Sequence, residues 1–261
     1  MVKAIFIDFY GTVVHEDGEV IKKVSQEIYD SGKVNDISEI GSYWWNEFQT
    51  AFNNAYGDSF ETQRELEYGS LKKTIQHFNS TANAKVLSNL MFDHWIKPPI
   101  FEESKQFFEL CPVPVYVVSN IDRDDVLQAI KYHDLKPTEV FTSEDARAYK
   151  PRKELFEFAL KGAELSAEEV LHIGDSLTSD IKGASSIGIN AVWINRSDRE
   201  IPSDVTAVKN LLEVFRTKYF DKNFKVASKN HSASDAQSDF SSDCIEISQA
   251  YCRMSRNLCA R

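Results

Sequence analysis

Val2 to Ile7, VKAIFI, is an apolar run rich in β-branched and aromatic residues, and it breaks at Asp8 and then at Gly11-Thr12. Such a run predicts a strand buried on both faces of a sheet. A carboxylate is thereby left at the strand's C-terminal end. In open α/β sheets ligands bind in the crevice beyond the carboxyl ends of the strands, so Asp8 is a candidate for chemistry as well as for capping a turn.

The chain does not go directly from that strand into another. From about Glu19 to Trp95 the apolar residues recur at helical spacing: Val20, Ile21, Val24 and Ile28 fall on one face, and Ile37, Ile40, Trp44, Phe48 and Phe52 on another. Leu66, Leu71 and Ile75 begin a third. A helical block inserted after the first strand would stand over the Asp8 crevice. At this spacing the aromatic group Tyr43, Trp44, Trp45, Phe48 and Phe52 reads as core rather than as a pocket lining.

Pro98-Pro99 closes the insertion, Phe101 to Leu110 predicts a short helix, and strands and helices then alternate. Strands are expected at Val113–Val118, Glu139–Thr142, Val170–Ile173 and Asn190–Ile194. Helices are expected at about Asp122–His133, Arg152–Gly162, Thr178–Ile187 and Val208–Phe215. This pattern predicts an α/β fold, a doubly wound (Rossmann-like) parallel sheet of five strands. The expected division is a core domain of residues 1–16 and 96–220, a helical cap domain of 17–95, and a Ser-rich, disordered tail of 221–261.

Composition narrows the partners. The chain has 261 residues and a formal net charge of −10, which argues against nucleic acid and anionic membrane as partners, since either needs a basic surface. No apolar run approaches the length of a membrane span, and no signal-peptide pattern precedes the first strand, so a cytoplasmic location is expected. The four cysteines, Cys111, Cys244, Cys252 and Cys259, have neither metal-site spacing nor the density of a disulfide framework. His15, His94 and His172 likewise show no metal spacing and read as structural or surface residues.

Each expected core strand ends in a distinct polar group. Asp8 follows the first, Ser119-Asn120 the second, and Gly174-Asp175-Ser176 the fourth, with Asp180 five residues beyond Asp175. Lys150 precedes Pro151 ahead of the helix after the third. In a parallel sheet these ends converge on one crevice. Each group also has a bland reading. Ser119, Asn120 or Asp122 can cap the next helix, Asp180 can favour its helix's positive end, and Lys150 can be a solvated loop lysine. Four converging sets are harder to explain by packing. Arg147, Tyr149 and Asn195 are weaker candidates.

The order DxxGT, strand-SN, K-P and GDSxxxD resembles the haloacid dehalogenase superfamily of hydrolases over residues 1–218, with the insertion in the place of that family's first type of cap domain. The resemblance implies that Asp8 is a nucleophile forming a covalent aspartyl intermediate. It further implies that Mg²⁺ is held by Asp8, the main-chain carbonyl of Tyr10 and Asp175, with Asp180 acting through water or by orienting Lys150. Ser119, with the backbone near Asn120, would hydrogen-bond the transferred group, Lys150 would balance its charge, and Thr12 would help position these groups. A hard cation suits this acidic set, because a carboxylate attacking a phosphoryl dianion meets like-charge repulsion unless a cation neutralises it.

One position departs from the pattern. The family's phosphatases usually carry a second Asp two residues after the nucleophile as general acid and base, and here that residue is Tyr10. Losing such a group costs about 10² to 10⁴ in rate. The favoured reading is a Mg²⁺-dependent phosphatase of a small organic phosphate that prefers good leaving groups or uses Tyr10 or water instead. The DFYGT motif also looks like that of the 2-haloacid dehalogenases, where a departing halide needs no proton. Against that alternative, Asp175 and Asp180 would repel a carboxylate substrate in the absence of a cation, and Arg64, the first arginine, comes late for a carboxylate-binding residue in the cap. A weakly active metal-binding interaction module is a third reading. A phosphonate-cleaving enzyme, which would need Lys22, Lys23 or Lys33 as a Schiff base, is a fourth.

Overall fold

The computed structural model describes residues 2–220, so the Ser-rich segment 221–261, with Cys244, Cys252 and Cys259, lies outside the described residues. The strands are β1 (Ala4–Ile7), β2 (Val115–Ser119), β3 (Glu139–Thr142), β4 (Val170–Gly174), β5 (Asn190–Ile194) and β6 (Thr206–Val208). They form one parallel sheet in the order β3-β2-β1-β4-β5-β6. All four β1 residues are buried, as a central strand covered on both faces requires. The chain leaves β1 for β2 on one side and reaches β4 on the other, so β1 is the point where the winding reverses. Ile7 pairs with Val117 and with Ile173, and this register brings Asp8, Ser119 and Asp175 together at one edge.

Between β1 and β2 the chain forms α1 (Gly18–Ser31), α2 (Ile37–Asn54), α3 (Gln63–His77), α4 (Ala84–Ile96) and α5 (Ser104–Leu110). The first four make up the inserted helical cap. Asp36 caps α2, Asn83 caps α4, and Thr62 with Glu65 forms a reciprocal capping box on α3. Their apolar faces, carried by Ile21, Ile28, Ile40, Trp44, Leu71 and Trp95, pack into one cluster with Phe9, Val13 and Val14 from the loop after β1. Core helices α6 (Arg123–His133), α7 (Ser143–Ala146) and α8 (Lys153–Ala163) follow β2 and β3.

Three sequence expectations shift. The sheet has six strands rather than five. The sixth is a three-residue edge strand whose half-buried residues pair Thr206 with Val192, too short for a periodicity to be visible. The helix expected over Val208–Phe215 is a 3₁₀ segment, Leu211–Arg216, started by the Asn210 side chain accepting the Glu213 amide. The helix expected over Thr178–Ile187 begins as a wide π turn, Leu177–Lys182, in which the Ile181 amide reaches back to the Ser176 carbonyl. Such turns recur at functional sites. Among the described residues no helix is long and apolar enough to cross a membrane.

Candidate active site

The crevice at the carboxyl edge of the sheet is roofed by the cap and encloses a cavity of ≈ 920 Å³. Lys150 lies at its base. Although only 1% exposed, its Nζ donates to Asp8 Oδ1 at 2.7 Å and to Asp180 Oδ1 at 2.7 Å. Burial alone would lower the pKa of a lysine, but the charges of Asp180 and Asp8 outweigh it, so Lys150 is held as a cation. Burial likewise pushes both carboxyls up. At Asp180 the Lys150 charge and the His172 hydrogen bond overcome it and keep the group well below the usual carboxylate range. At Asp8 burial prevails, reinforced by the Asp180 charge, and the pKa is raised against the opposing pull of Lys150 and Thr12.

The surrounding groups fix this arrangement. Thr12, fully buried, donates to Asp8 Oδ2 at 2.9 Å. The Asn120 side chain accepts the Lys150 amide at 2.7 Å and donates to the Lys150 carbonyl at 3.2 Å, clamping the backbone that carries the lysine. The peptide bond from Lys150 to Pro151 is cis. Ser119 Oγ accepts the Ile121 amide at 3.2 Å, which leaves its own O–H to donate. Behind Asp180 sits His172, whose Nε2 is 3.0 Å from Oδ1, and the Ser176 amide donates to Oδ2 at 3.0 Å. Gly11, at φ +91°, lets the loop after β1 pass the Asp175 carboxyl, since a Cβ there would come within 2.7 Å of it.

The carboxylates of Asp8, Asp175 and Asp180 each place an oxygen within 4.8 Å of the others. Three such groups facing one lysine leave a surplus of negative charge that a hard divalent cation fits. Both oxygens of Asp180 are already engaged, by Lys150 and His172 on one side and by the Ser176 amide on the other. Asp8 is held in the same way, by Lys150 on Oδ1 and Thr12 on Oδ2, so all three carboxylates stand as candidate ligands, and Asp180 also orients Lys150.

The phenol of Tyr10 points away from this chemistry. Its O–H donates to the Trp95 carbonyl at 2.5 Å, at the end of α4, and burial with the charges of Asp125, Asp17 and Asp8 pushes its pKa well above that of a free tyrosine. The weaker candidates belong to the contact between cap and core or to a core loop. Arg147 donates to the Gly57 carbonyl and Tyr149 to the Glu61 carbonyl, while Asn195 exchanges hydrogen bonds with the backbone of Arg199.

Two features were not legible in the sequence. Trp45, Phe48 and Phe52 line the cavity as well as packing with one another, whereas Trp44 is fully buried in the core and Tyr43 stacks on His77. Glu67 of α3 also lines the cavity, 3% exposed, and burial together with the charge of Asp17 pushes its carboxyl up to about 8. Its signal was a charged residue one α-helical turn before Leu71, on the buried face that also carries Ser70 and Thr74.

A family model described as haloacid dehalogenase-like hydrolase matches residues 2–188. The chain is 37% identical over 84 residues to the HAD-hydrolase YfnB of Bacillus subtilis, covering 31% of this chain and 36% of YfnB. It is 36% identical over 64 residues to the pyrimidine 5′-nucleotidase YjjG of Escherichia coli, covering 24% of this chain and 28% of YjjG. These sequence matches thus span about a third of the relatives' length. In three dimensions it resembles a crystal structure of YfnB bound to magnesium, with a TM-score of 0.65 at 19% identity over 82% of this chain and 97% of that one. It also resembles L-2-haloacid dehalogenase from Xanthobacter autotrophicus, with a TM-score of 0.66 at 16% identity over 83% and 98% of the two chains.

Proposed function

Since the chain belongs to the haloacid dehalogenase-like hydrolases, we propose that it is a Mg²⁺-dependent phosphatase of a small organic phosphate, working through an aspartyl-phosphate on Asp8. The observation that carries this reading is the set of three clustered carboxylates around a single buried lysine, which is short of positive charge until a divalent cation binds. Asp8, Asp175 and the main-chain carbonyl of Tyr10 would hold Mg²⁺, which when bound neutralises the phosphoryl dianion.

Asp8 Oδ attacks phosphorus as the bond to the leaving oxygen breaks, and water then attacks the aspartyl-phosphate, releasing inorganic phosphate and restoring the carboxylate. Lys150 balances charge on the transferred group while Asp180 and Asn120 hold it in place. Ser119 donates its O–H to a phosphoryl oxygen, and Thr12 fixes the face that Asp8 presents. The Tyr10 O–H is committed to Trp95 and delivers no proton, so the leaving oxygen departs as an oxyanion that takes its proton from solvent, and substrates with good leaving groups are favoured.

The competing reading, a 2-haloacid dehalogenase, needs a cation for the substrate carboxylate. Arg64 is committed to Asp125, Arg196 to Glu103, and Arg199, which also lines the cavity, donates to the Asp175 carbonyl. The test is hydrolysis of an aryl phosphate with Mg²⁺ and then with a chelator. Metal-dependent turnover abolished by Asp8→Asn is expected. Halide release from a 2-haloacid in chelator, with no phosphate release in either condition, would overturn the proposal.

A further inference from the structure

The cavity is far larger than a phosphate group requires, and the cap determines what else it admits. Ile21, Trp45, Phe48, Phe52, Met91 and Trp95 supply apolar and flat walls from α1, α2 and α4. None of the cap residues that line the cavity is a lysine or an arginine, while Asp17, Glu19 and Glu67 are acidic. From the cap a second anionic group on the substrate would meet these three carboxyls and the neutral amides of Gln49, Asn53 and Gln63. The two arginines that line the crevice come from the core, Arg196 paired with Glu103 and Arg199 donating to the Asp175 carbonyl. A flat, uncharged body would find aromatic faces to lie against.

Glu67 is the polar group set deepest among these walls. Its Oε1 is buried and has no hydrogen-bond partner. A buried polar atom left without a partner is costly, and a ligand that satisfies it recovers that cost. With its pKa near 8 the group is largely a neutral acid at pH 7, offering one O–H donor beside one carbonyl acceptor. That pair is complementary to an acceptor and a donor set side by side on the edge of a heterocycle.

We propose that Glu67 recognises the leaving group of the substrate, and that this group is an uncharged heteroaromatic ring bearing adjacent donor and acceptor atoms, as in a nucleoside monophosphate. The ring lies between the cap aromatics with its edge on Glu67 while the phosphate reaches Asp8. The inference rests on the phosphatase reading and deepens it.

The test measures kcat and KM of the full chain with Mg²⁺ on a pyrimidine nucleoside 5′-monophosphate, on phosphoglycolate, which carries a second anion, and on an aryl phosphate as reference. The nucleotide should exceed phosphoglycolate at least about tenfold in kcat/KM. Glu67→Ala should raise KM for the nucleotide about tenfold to a hundredfold, lowering its kcat/KM relative to the aryl phosphate. Glu67→Gln, which keeps one donor and one acceptor, should return KM to within about threefold. A purely structural role for Glu67 would lower stability without moving that ratio.

An unmoved ratio in Glu67→Ala, a loss in Glu67→Gln as large as in Glu67→Ala, or a preference for phosphoglycolate would each overturn the role of Glu67 while leaving the phosphatase reading intact. Absence of metal-dependent aryl phosphate turnover would overturn both. Should Glu67→Ala fail to fold, the free nucleoside is tested as an inhibitor of the unaltered protein. Competitive inhibition supports the proposal, and none at millimolar nucleoside overturns it.

Discussion

Lys150 balances two carboxylates in a space where none of the three groups sees much water. Replacing it with Met would remove the cation and leave Asp8 and Asp180 facing each other, buried and like-charged. Breaking a buried ion pair in this way costs about 3–5 kcal/mol, so the expected outcome is loss of turnover together with a clear drop in the denaturant midpoint. A variant as stable as the parent would mean that Asp8 takes up a proton at little cost. Tyr10 poses the opposite question. Its hydroxyl is held by the Trp95 carbonyl, so the position that would carry an acid is filled by a group that cannot serve as one. Tyr10→Asp should raise turnover on alkyl phosphates relative to aryl phosphates, by up to about the 10² that a general acid contributes. Steady-state assays on both substrates would measure it, and no relative gain would remove the missing acid as the limitation.

At the scale of elements, the cap is tied to the core by α3. Asp122, the residue before α6, accepts the amides of Gln63 at 2.7 Å and Arg64 at 3.0 Å, so a core carboxylate supplements the capping box at the start of a cap helix. Arg64 then grips Asp125 through two bonds, at 2.8 and 2.6 Å. The arginine side chain is 42% exposed, so solvent screens the pair, and Asp125→Ala should cost only about 1–2 kcal/mol. Its larger effect should be on KM, because α3 also carries Glu67 over the cavity. Thermal melting and substrate titration separate the two, and an unchanged KM would mean that the cap is held in place without this pair.

The same contrast explains what the sequence disclosed. Asp8, Ser119, Lys150 and Asp175 could be singled out because each ends a buried strand or lies in the connection just after one, so local pattern and sheet topology together determine where they lie. Glu67, Asp17 and Trp45 gave no such signal. Their approach to the crevice depends on how α1, α2 and α3 pack over β1, and helical periodicity says which face is buried but not against what. Tyr10 illustrates the limit within a motif: its position was readable, but the turn of its hydroxyl toward Trp95 was not.

For the whole molecule, these buried acids give folding a dependence on pH with a definite sign. Glu67 has a pKa of about 8 in the folded chain against an ordinary value of 4.5, so between those values the native state holds a proton that the unfolded chain has released. Folding stability therefore falls as pH rises from about 5 to 8. Asp122, raised to about 6 chiefly by burial, contributes in the same direction over the lower part of that range. Asp180 acts in the other sense. Its folded pKa is depressed, so its contribution is complete above the ordinary carboxylate range and is lost only on strong acidification, which leaves no slope near neutrality. Glu67→Gln removes the titrating proton while keeping a neutral amide of similar shape. The variant should match the parent at pH 5.5 and become the more stable at pH 8.5, by an amount on the order of a few kcal/mol. Melting temperatures of both proteins across that range measure the difference. If the two curves stay parallel, Glu67 does not titrate there, and the neutral acid on which its recognition of a donor–acceptor edge depends is absent.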